Sequence, residues 1–240
     1  MNEKSSDKEF QFIEENLKYL RERIANAALR AGRGPEAVRL MAVTKNVEPA
    51  AINYALGCGV DLIGENRVQE FLGKRDKLQL EGCEVHLIGH LQTNKIRDIL
   101  DYVDCIQSVD SLRLAQELSR RAAERGKCCD ILLEVNIGDE ESKFGFSAES
   151  LEEALCEIAA YPALRVRGLM TVAPIFSENR PVHPFFSNMQ QLFLDISAKK
   201  LDNINMDILS MGMSDDFEEA VAAGSTLVRL GSAIFGMRRY

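Results

Sequence analysis

Apolar residues recur along this chain with two periods that take turns. From about Asp7 to Arg33, the spacing of Phe10, Phe12, Ile13, Leu17, Leu20, Ile24 and Leu29 predicts one long amphipathic helix. Gly32 and Gly34 predict its end. After it, short apolar, β-branched runs alternate with helical patterns. The runs are RLMAVTK (ending at Lys45), VDLIG, EVHLIG, YVDCIQSV, CDILLEVNI, LRVRGLMTV, MDILSMG and TLVRLG. The first intervening helix starts near Pro49, where a missing N–H costs little, and ends at Gly57 or Gly59. The next ones run from Arg67 to Leu80, from about Thr93, from a cap at Asp110 to Gly126, and from Ala148 to Ala160. A longer helix then carries Phe185, Phe186, Met189, Leu192, Phe193 and Ile196 on one face, a short one reaches Ala223, and a last segment ends at Tyr240.

Eight strand candidates, each followed by a helix, require right-handed crossovers and a parallel sheet. Eight is the number that closes a barrel, so the expected fold is a single α/β domain over residues 1–240: a TIM-type (β/α)8 barrel with an extra N-terminal helix and residues 1–8 as a disordered tail. An open doubly wound sheet is the alternative. No shift in composition marks a linker.

Charge and cysteines narrow the class. A formal charge of −8 argues against a broad nucleic-acid surface and against an anionic membrane. The N-terminus MNEKSSDKEF is polar and lacks the apolar core of a signal peptide, and no apolar run reaches membrane-spanning length. The six cysteines form no C-x-x-C pair, which predicts free thiols in a reducing cytoplasm.

In such a barrel the chemistry sits at the C-terminal ends of the strands. There the chain places Thr44-Lys45-Asn46, Gly64-Glu65-Asn66-Arg67, Gly89-His90-Leu91-Gln92, Asn136 with GDEESKFG, Ser210-Met211-Gly212-Met213-Ser214, and Arg229-Leu230-Gly231-Ser232. A lysine closing an apolar strand points into the mouth, where desolvation makes its amine nucleophilic; the alternative is a lysine that snorkels to solvent. The loops after strands seven and eight are a recurrent phosphate site, and Ser210, Gly231 and Ser232 are favoured there. Ser214 is set aside because Asp215 and Asp216 follow it and would repel an anion. Ordinary capping is the other explanation for these residues.

Neither a Walker loop nor a Rossmann glycine fingerprint is present. His86 and His90 straddle a strand end and share no helical face, so no metal site is expected. His183 is read as structural, and Arg120, Arg121, Arg125 and Lys127 as a solvated helix face.

The stretches AVTKNV, IGENRVQE, VHLIGHLQTNK, SVDS, LEVNIGDEESKFG, RGLMTV and LSMGMSDDFEEAVAAGSTLVRLGSAIFG resemble the pyridoxal phosphate homeostasis proteins, from about Leu17 to Tyr240. The resemblance implies the fold of the N-terminal barrel of alanine racemase, with pyridoxal 5′-phosphate (PLP) held as an imine on Lys45. It also implies that Arg229 faces the pyridine nitrogen, that Ser210, Gly231 and Ser232 hold the phosphate, and that Asn66 lies near the ring. This sequence has Ile63 where the family often has an aromatic residue and Val85 where it often has tryptophan. Both changes are expected to touch packing around the mouth.

The expected role is a carrier or buffer of PLP, with no catalytic residue assigned. An arginine at the ring nitrogen keeps it unprotonated and weakens the electron sink. A racemase needs acid and base on both faces of its substrate, and Lys45 supplies one. The 240 residues leave no length after strand eight for a second domain. An amino-acid racemase or lyase is the alternative, and a cofactor-free interaction protein is a third possibility. Transient contact with PLP-dependent apoenzymes and a monomer or weak dimer are expected, and Lys143 is the rival to Lys45 for the imine.

Overall fold

The computed structural model describes residues 3–138, 144–174 and 183–236. Each apolar run becomes a strand, in order: β1 (Arg39–Val43), β2 (Leu62–Glu65), β3 (Glu84–Leu87), β4 (Cys105–Val109), β5 (Cys129–Glu134), β6 (Leu164–Met170), β7 (Ile204–Ser210) and β8 (Leu227–Leu230). Between and around them lie α1 (Glu3–Arg30), α2 (Pro49–Gly57), α3 (Val68–Lys74), α4 (Ile96–Ile99), α5 (Leu112–Ala123), α6 (Ala148–Ala159), α7 (His183–Ser197), α8 (Phe217–Ala222) and α9 (Ser232–Phe235). Neighbouring strands pair in parallel all the way round, and β1 pairs with β8, Met41 opposite Arg229 and Ala42 opposite Leu230. That last pairing closes the barrel and excludes the open sheet.

The period of two along each strand divides the core. Met41, Leu62 and Leu227 fill the barrel interior with Ile88 and Ile208, beside Cys105, Leu132 and Met170. The alternate residues, among them Ala42, Ile63, Val85, Ile106, Ile131 and Leu209, face the helices in one continuous layer. Ile63 and Val85 thus pack under the helix shell, so their departure from the family pattern bears on that layer and not on the mouth.

Two sequence expectations shift at the helices. In α1, Phe10, Ile13, Leu17, Leu20 and Ile24 are buried, continued by Ala27 and Ala28, whereas Phe12 and Leu29 are exposed. Both lie about a third of a turn off the stripe. The helix closes at Arg30: Arg33 N donates to Ala28 O (2.9 Å), and Gly32 sits at φ +71°, the left-handed turn of a glycine C-cap. The cap of α5 is Ser111, whose Oγ accepts Leu114 N, and not Asp110, whose carboxylate turns to Ser111 Oγ and His90 instead.

The β6–β7 seam shifts register between Val166 and Gly168. Gly168 has φ +148°, and a Cβ there would stand 1.8 Å from Ile208 O. Gly168→Ala is expected to destabilise the fold by about 3 kcal/mol, checked by urea unfolding, because the bulge cannot hold a side chain.

Candidate functional site

The first strand delivers Lys45 to the mouth through a short turn. Thr44 N extends the ladder to Gly64 O (3.0 Å), Val47 N closes on Thr44 O (3.1 Å), and Asn46 takes φ +58°. Lys45 is half-buried and Thr44 is fully buried on the helix side. A polar cluster on that outer side fixes the turn. Lys74 Nζ, from α3, donates to Thr44 O (2.8 Å) and pairs with Glu65 Oε1 (2.8 Å) and Glu70 Oε1 (3.0 Å). Glu70 Oε1 accepts Asn46 N (2.5 Å), and Thr44 Oγ1 donates to Glu65. The backbone on both sides of Lys45 is therefore held by one ion cluster. Burial pushes the Glu65 carboxyl up, and its Oε2 has no partner.

Lys45 stands between two cavities. One, about 470 Å³, is lined by Val43, Lys45, Gly231 and Ser232 together with Phe12 and Phe235. The other, about 350 Å³, is lined by Lys45, Asn46, Asn66, Arg67, Gly89 and His90. The Asn66 Oδ1 is buried without a hydrogen-bond partner. The loop behind it admits no side chain: a Cβ on Gly89 would lie 2.2 Å from Asn66 O, and Gly89 O is itself held by Ser108 Oγ (2.7 Å).

Arg229 points from β8 into the interior just below the mouth. Its Nη1 donates to Ser210 O (2.9 Å) and Ser210 Oγ (2.8 Å), and its Nη2 to Thr171 O (2.7 Å). Burial lowers its pKa to about 10, with Glu134 and Asp216 acting against that fall, so it remains a cation at neutral pH. Ser210 is fully buried, and its hydroxyl donates to Gln107 Oε1 (2.7 Å). The six residues singled out in the sequence therefore divide: Lys45, Gly231 and Ser232 share one cavity, Lys45 and Asn66 share the other, and Ser210 supports Arg229 underneath.

One of the two aspartates set against Ser214 is taken up by the backbone in the folded chain. Asp216 is buried and turns back to accept Met213 N (2.6 Å), while Ser214 Oγ accepts Ala233 N (3.3 Å) in the first turn of α9. Ser214 thus sits beside Gly231 and Ser232. The sequence alone does not show this: Asp216 stands at the start of α8 without capping it, and the N–H it accepts, that of Met213, lies before it in the chain.

The other candidates fall as follows. His86 lies inside the barrel, whereas His90 is exposed, bonded to Asp110 (2.8 Å) and stacked on Phe144 at 4.1 Å. Arg120 and Arg121 pair with Glu117 and Glu124, and Arg125 and Lys127 with Asp101, as a solvated helix face. Lys143, and most of the GDEESKFG loop, lie outside the described residues.

The sequence pattern of the alanine racemase N-terminal domain matches residues 13–239. A pyridoxal phosphate homeostasis protein of Aquifex aeolicus is 40% identical over 226 residues, covering 94% of this chain and 98% of its own. One from Escherichia coli K12 is 40% identical over 232 residues, covering 95% and 97%. The chain belongs to the pyridoxal phosphate homeostasis protein family. Among solved structures, PipY of Synechococcus elongatus with PLP bound superposes with a TM-score of 0.81 at 33% identity, over 93% of this chain and 100% of that one.

Glu134, at the end of β5, went unnoticed in the sequence. Burial, reinforced by Asp110, pushes its carboxyl up to about 7, against the pull of Arg229 and His90. A carboxyl raised in the folded state holds its proton longer than in the unfolded chain, so its neutral form favours folding, and stability falls as pH rises from 4.5, the ordinary value, to about 7 and levels off above it. Cofactor-free protein is expected to lose melting temperature over that range, and Glu134→Gln to lose less; equal slopes in thermal scans would contradict the assignment. Lys74→Met strands a buried Glu65 and is expected to cost about 3–5 kcal/mol in denaturant unfolding.

Proposed function

We propose that this chain binds PLP at the barrel mouth, covalently through Lys45, and carries or buffers the cofactor without strong catalysis of its own. The observation that carries this reading is the position of Lys45, which lines one cavity with Gly231 and Ser232 and another with Asn66, whose Oδ1 is buried without a partner. The donor set fits the group. Lys45 supplies the amine for an aldehyde. Gly231 lets the backbone approach an anion, and the hydroxyls of Ser232 and Ser214 lie beside it. Arg229, already fixed by three acceptor contacts, offers donors to the ring nitrogen. Asn66 Oδ1 is an acceptor in need of a donor.

Bound there, PLP supplies a carbonyl for reversible amine capture and an electron-accepting ring. Arg229 governs how far the second property is used. A guanidinium donates and does not hand over its proton, so a ring nitrogen held by Arg229 would accept a hydrogen bond and stay uncharged. Lys45 is half-buried and not sealed in, which suits transfer. The recipients in this reading are PLP-dependent apoenzymes met transiently in the cytoplasm by a monomer or weak dimer. The formal charge of −8 disfavours nucleic acid, and among the described residues no helix is long and apolar enough to cross a membrane.

A second reading, an amino-acid racemase or lyase, draws on Glu134, whose carboxyl titrating at about 7 is matched to proton transfer near neutral pH. Steady-state turnover separates the two. With a panel of amino acids, the expected rate is no greater than that of free PLP; sustained turnover that falls in Glu134→Gln would establish the enzyme.

Borohydride reduction followed by peptide mass spectrometry tests the site itself. The cofactor mass is expected on the peptide carrying Lys45, and the absorbance of bound cofactor should vanish in Lys45→Ala. An adduct on Lys143 instead, or none at saturating PLP, would overturn the proposal.

A further inference from the structure

A single file of hydrogen bonds runs through the barrel from the mouth to the opposite face. Arg229 Nη1 donates to Ser210 Oγ (2.8 Å), Ser210 Oγ to Gln107 Oε1 (2.7 Å), and Gln107 Nε2 meets His86 Nδ1 (2.8 Å). His86 Nε2 meets Glu84 Oε2 (3.2 Å), and Glu84 Oε1 accepts Arg39 Nη1 (3.0 Å). Ser210, Gln107 and His86 are all at most 2% exposed, so each needs its partners.

The far end sets the direction of the file. Glu84 is held down to about 2 by its hydrogen bond from His86, with Arg39 helping, so it is a carboxylate and only accepts. His86 must then donate from Nε2, and in its neutral form Nδ1 is left as an acceptor. Gln107 can satisfy that acceptor only with its NH2, which turns Oε1 toward Ser210. Ser210 gives its one proton to that oxygen and presents its lone pairs to Arg229. A reversed Gln107 amide would leave the Ser210 proton without its acceptor and set oxygen against the His86 lone pair. Each bond thus points from the Arg229 cation to the Glu84 anion, the arrangement in which successive hydrogen bonds strengthen one another. Nothing in packing alone calls for these groups: the adjacent interior positions are filled by Cys105, Leu132 and Met170.

We propose that Gln107 is a positioning residue for the cofactor, fixing through Ser210 the direction in which Arg229 presents its free N–H groups to the mouth. The proposal rests on the binding of PLP above Arg229. Gln107 itself touches no cofactor; it decides which way the guanidinium that does so is turned.

The test compares Gln107→Leu, Gln107→Glu and Ser210→Ala, each loaded with PLP, by absorption spectrum and by the rate of cofactor release into excess hydrazine. Gln107→Leu removes the acceptor for Ser210; the absorption maximum should move and release should speed up about tenfold, the scale of one lost buried hydrogen bond. Gln107→Glu, with its buried carboxyl protonated, keeps an acceptor for Ser210 and a donor for His86 Nδ1, and should leave both readouts at their wild-type values. Ser210→Ala cuts the file one step closer to Arg229 and should reproduce the Gln107→Leu shift, and adding Gln107→Leu to it should change nothing further. Wild-type spectrum and release in a folded Gln107→Leu protein overturn the proposal while the site stands. If Gln107→Leu does not fold, a wild-type spectrum in Ser210→Ala overturns it equally. Absence of any chromophore at Lys45 in the wild-type chain removes the site, and this inference with it.

Discussion

Closure of the sheet is the constraint on which everything else depends. Because β1 pairs with β8, Met41 opposite Arg229 and Ala42 opposite Leu230, the residues that follow these strands emerge side by side. Lys45 and the Gly231-Ser232 pair lie at opposite ends of the sequence, and only the ring brings them to one cavity. The same closure fixes which residues look inward. A slip of one residue in β8 would send Arg229 into the helix layer and Leu230 into the mouth. The large apolar layer under the helices, with Ile63, Ile106, Ile131, Leu209 and Val228, penalises that slip at every strand.

Two polar systems then use the frame from opposite sides. Outside the ring, Lys74, Glu65 and Glu70 hold the backbone flanking Lys45. Inside it, Ser210 and Thr171 hold Arg229. Buried charges of this kind are poor sources of stability, since desolvation offsets most of their attraction. Their presence beside the two candidate residues Lys45 and Arg229, in a barrel whose remaining interior combines Met41, Leu62, Leu132 and Met170 with the paired Gln107 and His86, is better explained by orientation than by stability. A lysine side chain has four rotatable bonds; fixing its backbone on both sides leaves only those to be settled when a ligand arrives.

The sequence was most informative where burial alone decides structure. Parallel strands covered on both faces read as continuous apolar runs, so all eight were legible. The strand-end rule singled out Lys45, Ser210, Gly231 and Ser232 as candidates, whereas the roles of Asn66 and Arg229 came from family resemblance. Tertiary partners were not legible. Gln107 and Glu65 lie in strands, and what their side chains do became legible only once His86, Ser210, Lys74 and Thr44, from other elements, were seen around them. The side on which Asp216 turns decided the case of Ser214, and a carboxylate's direction is set by which N–H lies within reach, here Met213. Phe12 shows the same limit on a helix: one residue from Ile13, it falls outside the stripe and faces the cavity beside Lys45 instead.

The placement of Ser210 alters how the mouth divides its work. A hydroxyl at the end of strand seven was expected to face an anion, but it faces the Arg229 cation and passes its proton downward to Gln107. In the proposed site, recognition of an anionic tail would then fall to Gly231, Ser232 and Ser214, on the rim, and the ring end to Arg229 from within. Rim groups are half-buried or exposed and exchange readily with water; Arg229 is 5% exposed and already committed to three acceptor contacts. On the proposed reading, a ligand leaving such a site would break rim contacts and a bond at Lys45 and leave the interior hydrogen bonds of Arg229 in place. That combination, a rigid orienting floor under an easily rewetted rim, favours a protein that holds its cofactor in one pose and gives it up over one that must stabilise charge developing in the ring.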